Sequence, residues 1–478
     1  MQLLFADQLG QHFDLSSGSI LPIALKQFAK RKYHRKKAHL ILSAVLRRAA
    51  SANCEAVYVD TYRDLTGVAT IAVNPTSYPM RRLTESLGLE VVPARGFICS
   101  ESDWQKWVSA RQNQRFRLED FYRWQRQRTG ILMEGTKPAG GRWNLDSENR
   151  LGAKQIKFDI AEPWLPKEDI FDEEARDTLN RLVRDGVAQF SGSDGPREFA
   201  ASREEAASAL EYFVSKRLAT FGPPEDAMLR TSWTVSHSLL SVPMNLGLID
   251  PMQVVKSAEL AYLSGTVPLQ SAEGFVRQIM GWRDYVWHLY WHFGEQYPTT
   301  NFLNGTQPIP DSWVNLDAAQ IEANCISQCI SDLKQHGWLH HIQRLMVLGN
   351  VALQRGLSPQ AVNDWFVDNF VDGTPWVMPA NVVGMTLYAD GGQMSTKPYV
   401  AGGAYINRMS DYCGGCKFQP NERLGDTACP MTGGYWAFLQ ANQGKLANNP
   451  RIAQQLRGLS RIGNAEQISI AEARRTNL

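Results

Sequence analysis

Three cysteines cluster toward the C-terminal end of this chain, as Cys413-Gly-Gly-Cys416 and, thirteen residues on, Cys429-Pro430. A Cys-x-x-Cys turn brings two thiolates together. Glycine between them lets backbone N–H groups approach the sulfurs of an iron–sulfur cluster. A Cys followed by Pro also occurs in ferredoxin ligand runs. A fourth ligand is needed, and Cys325 and Cys329, four apart on one helix face, both qualify. A zinc site and a redox dithiol are the competing readings. Zinc more often takes paired Cys-x-x-Cys motifs or histidine partners.

A second group is His340-His341-Ile-Gln-Arg344. Histidine is the side chain able to give or take a proton near neutral pH. Adjacent histidines on a helix point about 100° apart, so at most one faces a given site squarely. The plainer reading is a helix-start histidine satisfied by a carboxylate. Ser236-His-Ser238-Leu239-Leu-Ser241 offers hydroxyls and backbone N–H groups at a helix start, which suits a pyrophosphate or simple capping. Arg277-Gln278 through Gly281-Trp282-Arg283-Asp-Tyr285 is an aromatic helix face. Such faces are more often core, yet Gln278 and Arg283 are polar handles that a pure core would not want. Lys397-Pro-Tyr399 through Asn407-Arg408 mixes aromatics, cations and a Gly pair, suited to gripping phosphate and stacking on a base.

These residues need a scaffold, and 478 residues suffice for two or three domains. Residues 1–128 read as an α/β domain with a Rossmann-like parallel sheet. Leu3–Ala6, Ala56–Asp60 and Leu89–Pro93 read as strands, with helical patterns over 26–50 and 80–87. Neither G-x-G-x-x-G nor a P-loop occurs there. Residues 129–195 are rich in Gly, Pro and Asn and read as an interdomain connector. From 196 to 478 the apolar spacing is helical over 203–220, 252–262, 271–293, 321–335, 340–354 and 359–370. The second expected domain is therefore large and all-α.

The formal net charge of +2 hides an asymmetry. Residues 1–150 carry 23 basic and 14 acidic side chains, and the remainder 27 and 34. A nucleic-acid surface on the second part must be a local patch rather than a global field. No run reaches the roughly 18 apolar residues of a membrane helix, so no membrane partner is expected. The N-terminus lacks a basic region and a long apolar stretch, which argues against a secretory signal and for a reducing, cytoplasmic compartment. A disulfide framework from seven cysteines is then not expected.

Taken together, these strings resemble the photolyase/cryptochrome superfamily, and within it the bacterial iron–sulfur branch of (6-4) photolyases. Phe121-Tyr-Arg, Thr129-Gly-Ile-Leu-Met, Gly140-Gly-Arg-Trp143-Asn-Leu-Asp146-Ser-Glu-Asn149-Arg150 and Tyr412-Cys-Gly-Gly-Cys416 complete the match, which covers most of 115–435. Each string alone is unspecific, and their combination is not. The resemblance implies FAD in the helical domain, with Ser238, Leu239 and Ser241 on the pyrophosphate and Gln278, Trp282 and Arg283 along the flavin. Arg344 and Asp372 would pair beside the isoalloxazine. It also implies a [4Fe-4S] cluster on Cys325, Cys413, Cys416 and Cys429, acting as a structural staple. The family's chemistry is light-driven electron donation from reduced flavin to a flipped-out (6-4) lesion in UV-damaged DNA. Moving the lesion's hydroxyl back requires an acid. That role falls to His341, with His340 and Tyr399 lining the lesion pocket and Trp365 and Trp376 as relay aromatics. The expected species is a monomer.

Two departures stand out. Asp372-Gly-Thr-Pro-Trp-Val-Met378 puts Met where most photolyases place an Asn near flavin N5. In the N-terminal domain, Ala6-Asp7-Gln8-Leu9 stands for the family's G-D-Q-L string beside a lumazine antenna. No acidic residue directly precedes the stretch Lys30-Arg-Lys-Tyr33-His34-Arg-Lys-Lys37. Two other functions fit the same scaffold: a cryptochrome-like photoreceptor, and a non-photochemical Fe–S protein that binds nucleic acid.

Overall fold

The computed structural model describes residues 1–15, 18–51, 53–111 and 115–476. The N-terminal part is a five-stranded sheet, all parallel, in the order β3-β2-β1-β4-β5. Its strands are β1 (Gln2–Leu3), β2 (Ser19–Ile23), β3 (Cys54–Tyr58), β4 (Ile71–Val73) and β5 (Glu90–Val92). The inner strands β1 and β2 are buried along their length, as expected of a sheet covered on both faces. The composition pattern missed β2 and β4. β2 contains Pro22, which normally argues against an inner strand. Here β1 pairs only with Ser19 and Ile20, so Pro22 lies beyond its end and its missing N–H breaks no bond to β1.

The stretch 26–50 is not one helix. A short 3-10 turn, Leu25–Ala29, precedes the helix Arg35–Ala49. The Gly- and Pro-rich region 129–195 holds an antiparallel ribbon, Met133–Glu134 with Lys137–Pro138, and a 15-residue helix, Ile170–Arg184. That helix packs on Arg35–Ala49. Its acidic start hid it from an apolar-spacing reading. Asp172 on it is fully buried and accepts from Ser43, Arg47 and Arg197.

The remainder is helical, as its periodicity predicted. Leu269–Phe293 is one continuous rod, but its middle, Arg277–Arg283, is wound as a π-helix. Gln343–Gly349 and Pro379–Thr386 are also π-wound. Such segments are rare and concentrate at functional sites. One apolar core joins the two parts of the chain, running from Leu21 and Val45 through Leu179 to Leu240 and Val276. A second fills the C-terminal half around Trp313, Ile326, Val347 and Phe366.

The basic stretch 30–37 clamps the sheet domain onto the helical one. Lys37 Nζ donates to the carbonyls of Val367 and, at 2.6 Å, Gly373. Arg31 pairs with Asp368 at 2.7 Å, and His34 Nε2 lies 3.1 Å from Lys334 O. Burial pulls the Lys37 ammonium down to about 8, so holding it there has a cost that its two carbonyl acceptors offset. Among the described residues no helix is long and apolar enough to cross a membrane.

Candidate functional site

The three π-wound segments converge on one cavity with about 1280 Å³ of empty space, its open mouth included. Gln278, Ile279, Trp282 and Arg283 reach it from the first segment, Arg344 and Leu345 from the second, and Asn381, Val382, Met385 and Thr386 from the third. π-Winding widens the helix and redirects side chains that an α-helix would aim elsewhere.

Arg344 and Asp372 form a bidentate pair on its wall, at 2.9 and 3.1 Å. The Ser241 hydroxyl donates to the same carboxylate at 2.9 Å. A buried guanidinium needs such a partner, because an unpaired one is costly. Ser238 and Leu239 also line the cavity. Leu239 sits at φ 59°, a left-handed conformation unusual for Leu. Ser238 Oγ accepts from the N–H of Leu240. Trp282 donates to Asn381 Oδ1 at 2.8 Å. Arg283 donates to the carbonyls of Gly96 and Met244. With no carboxylate bonded to it, burial lowers it to about 10. Met378, buried, is on the wall as well. The donor set suits a large ligand with an anionic waist and a flat aromatic end: hydroxyls and an ion pair at one side, indole and aliphatic walls at the other.

Not all of the predicted site residues meet there. His341 lines the cavity, and His340 does not. His340 is 1% exposed and stacks behind His237, with centroids 4.9 Å apart. Neither of its ring nitrogens has a hydrogen-bond partner. Tyr399 is 38% exposed and lies off the wall. Of the relay aromatics, Trp376 lines the cavity, whereas Trp365 packs against Trp313, 5.4 Å away.

Sequence reasoning missed His237, Asp226 and Glu225. His237 Nε2 stands 3.2 Å from His341 Nδ1, and its own Nδ1 lies 3.0 Å from Thr234 O. Asp226 Oδ1 is 3.4 Å from His341 Nε2. Burial alone would lower the His341 imidazole, but the Asp226 carboxylate overcomes it and raises the pKa. Burial instead holds His237 well below the usual histidine range. Glu225 is pushed up to about 7 by burial and accepts from Gln278 at 2.8 Å. His237 is flanked by Ser236 and Ser238, whose hydroxyls give that string its phosphate-binding pattern. Asp226 carried no local signal.

Cys325, Cys413, Cys416 and Cys429 line one small apolar cavity. Cys325 stands in the first turn of the helix Asn324–His336, and Cys429 caps the helix Pro430–Leu446. All four are free thiols. A Cβ added at Gly403 would meet Cys429 Sγ at 2.8 Å, so glycine is required beside this cradle. Cys329 is fully buried and off the wall. Among the described residues, the ligating groups that stand in threes within 4.8 Å of one another include no set of these cysteines. One tetrahedral zinc ion would draw four sulfurs to about 3.8 Å from each other.

Asp7, Gln8 and Leu9 lie at the junction of the two parts. Thr76 donates to Asp7, whose carboxyl is raised by burial. Gln8 donates to Val73 O, and Leu9 N–H to Leu246 O at 3.1 Å.

A family of deoxyribodipyrimidine photo-lyase-related proteins matches residues 68–192. A (6-4) photolyase of Agrobacterium fabrum is 42% identical over 362 residues, covering 75% of this chain and 69% of the relative. The chain belongs to the photolyase/cryptochrome family. Solved structures agree on the fold. A class III photolyase from Agrobacterium tumefaciens superposes with a TM-score of 0.56 at 16% identity, covering 94% of this chain and 98% of that one. A Synechocystis cryptochrome gives 0.54 at 13%, with 99% and 98% covered. Homology to a (6-4) photolyase over most of the chain supports light-dependent DNA repair in general, and the family implies FAD and a DNA substrate.

Proposed function

We propose that this chain repairs (6-4) pyrimidine–pyrimidone photoproducts, with His341 as the acid. The observation that carries the reading is His341 on the wall of the large cavity with Asp226 at 3.4 Å. A carboxylate there favours the charged imidazolium, which holds the proton that the lesion's hydroxyl needs on leaving. A cyclobutane dimer needs no such acid.

FAD, when bound, supplies the light-excited electron. Every other role falls to the chain. Ser238, Leu239 and Ser241 hold the pyrophosphate. Arg344, paired with Asp372, presents fixed charge to the flavin, and Gln278, Trp282 and Arg283 lie along it. The apolar walls exclude water and strengthen the electrostatics of the ion pair. His340 supports His237 from behind rather than touching the lesion, and Tyr399 meets the DNA outside the cavity.

We assign the four clustered cysteines to a [4Fe-4S] cluster. Their spread is wider than one zinc ion demands, and apolar side chains line the rest of their cavity. The cluster staples the helix Asn324–His336 to the C-terminal helices and takes no part in repair. A lumazine antenna is not assigned: Val73 and Thr76 engage the Gln8 N–H and the Asp7 carboxylate, and Gln8 Oε1, buried without a partner, does not by itself make a site.

The test is repair of an oligonucleotide carrying one (6-4) lesion, under blue light with reductant. Wild type restores the bases, and His341→Ala retains FAD but does not repair. Undiminished repair by His341→Ala would remove the acid role. No repair by flavin-loaded wild type would favour a light-sensing function.

A further inference from the structure

His237, His340 and His341 converge although they come from different places in the sequence, and each offers a ring nitrogen within 4.8 Å of the other two. We propose that this triad is a binding site for a divalent transition-metal ion of the zinc class, and that an ion seated there blocks repair. The consequence for repair rests on the acid role given to His341. The binding does not.

Geometry is the first argument. Zinc–imidazole bonds of about 2.0–2.1 Å in a tetrahedron set ligand nitrogens about 3.3 Å apart. His237 Nε2 and His341 Nδ1 already stand at 3.2 Å. Rotation of the His340 ring about its broad terminal torsion brings the third nitrogen in.

The outer contacts are the second argument. A metal-bound histidine nearly always donates its other ring N–H to a carboxylate or a backbone carbonyl. His341 Nε2 faces the Asp226 carboxylate at 3.4 Å, and His237 Nδ1 faces Thr234 O at 3.0 Å. Both contacts direct a lone pair from each ring into the space between them. Two lone pairs facing at 3.2 Å need a proton or a cation between them.

The third argument is His340. It is almost fully buried, and both of its nitrogens lack a partner. A buried polar group without a bond is destabilising, and coordination would satisfy one of them. The Asp226 carboxylate supplies negative charge. Of the two nearby guanidiniums, Arg344 is engaged by Asp372, and Arg217 donates to Thr234 and Val235. The fourth coordination position faces the cavity and takes water.

An ion held here occupies His341 Nδ1 and fixes the ring that must deliver the proton. Nothing is oxidised or reduced. The ion displaces the shared proton to solvent.

The experiment titrates the flavin- and cluster-loaded protein with zinc chloride in the dark, reading affinity by competition with a chromophoric chelator. Zinc K-edge absorption gives the ligands, and an iron assay confirms that the cluster is intact. Nitrogen neighbours near 2.0 Å, one ion per chain, are expected. His237→Asn and His340→Asn should each weaken binding at least tenfold, with unchanged flavin and iron content showing that they fold. Asp226→Asn should weaken it about tenfold through the outer contact alone. Failure of wild type to bind, sulfur neighbours near 2.3 Å, or binding untouched by both histidine variants would each overturn the site. If zinc binds as expected but repair is unaffected, the site stands and the acid role of His341 falls. Zinc inhibition of wild-type repair that is reversed when a chelator removes the ion supports both.

Discussion

Lys37, near the start of the first long helix, drives its ammonium across the domain junction onto the carbonyl of Gly373, 2.6 Å away and one residue beyond Asp372. The sheet domain thus holds the loop whose carboxylate pairs with Arg344. The order of consequences runs from sheet to loop to ion pair to cavity.

Asp372→Asn should leave Arg344 with half a partner in a largely desolvated place. Breaking a buried pair from one side costs about 3 kcal/mol. Urea unfolding of the flavin-free protein should show that loss, and the purified variant should carry much less flavin by visible absorbance. Full flavin content with unchanged stability would contradict the role of the pair.

Asp226→Asn should change the pH profile of repair. The carboxylate raises the His341 pKa above its ordinary value. A raised base is protonated below its pKa and loses the proton as pH rises through it. Removing the carboxylate lowers that pKa. The high-pH limb of the repair rate should therefore move to lower pH, leaving activity at acidic pH nearly intact. A uniform drop at every pH would point to damaged binding instead.

Cys325→Ser should lower iron per chain and soluble yield more than Cys329→Ser does. Cys325 lines the cavity shared with Cys413, Cys416 and Cys429, whereas Cys329 is packed in core. Iron analysis of the two variants decides it, and the reverse ranking would reassign the ligand.

Gly349→Ala should destabilise the walls of the large cavity. An added Cβ would meet Thr386 Cγ2 at 2.1 Å and the Arg344 carbonyl at 2.8 Å. Two π-wound segments approach each other there. Overpacking of this kind costs about 1–3 kcal/mol, visible as a lower melting temperature and weaker flavin retention. Gly444→Ala, which meets nothing within 4 Å, is the control.

The sequence by itself determined the class of the fold, the thiol cluster and most of the cavity's polar residues. Helical spacing is a local property, and so are Cys413-Gly-Gly-Cys416 and the strings around Ser238, Gln278 and Arg344. It also read region 129–195 by its turn residues and so overlooked the helix at Ile170–Arg184, whose burial depends on a partner more than a hundred residues earlier in the chain. Tertiary structure decided the remainder. Between Cys325 and Cys329 the spacing is silent, because both lie on one face, and only packing turns one into the cavity. π-Winding leaves no mark in composition, yet it aims Gln278, Arg344 and Asn381 at a common centre. His340 and His341 are neighbours in the chain, but one is sealed in core and the other faces the cavity. Asp226 and His237 reach His341 from about a hundred residues away, and a proton's affinity is set by charges in space, not by order along the chain.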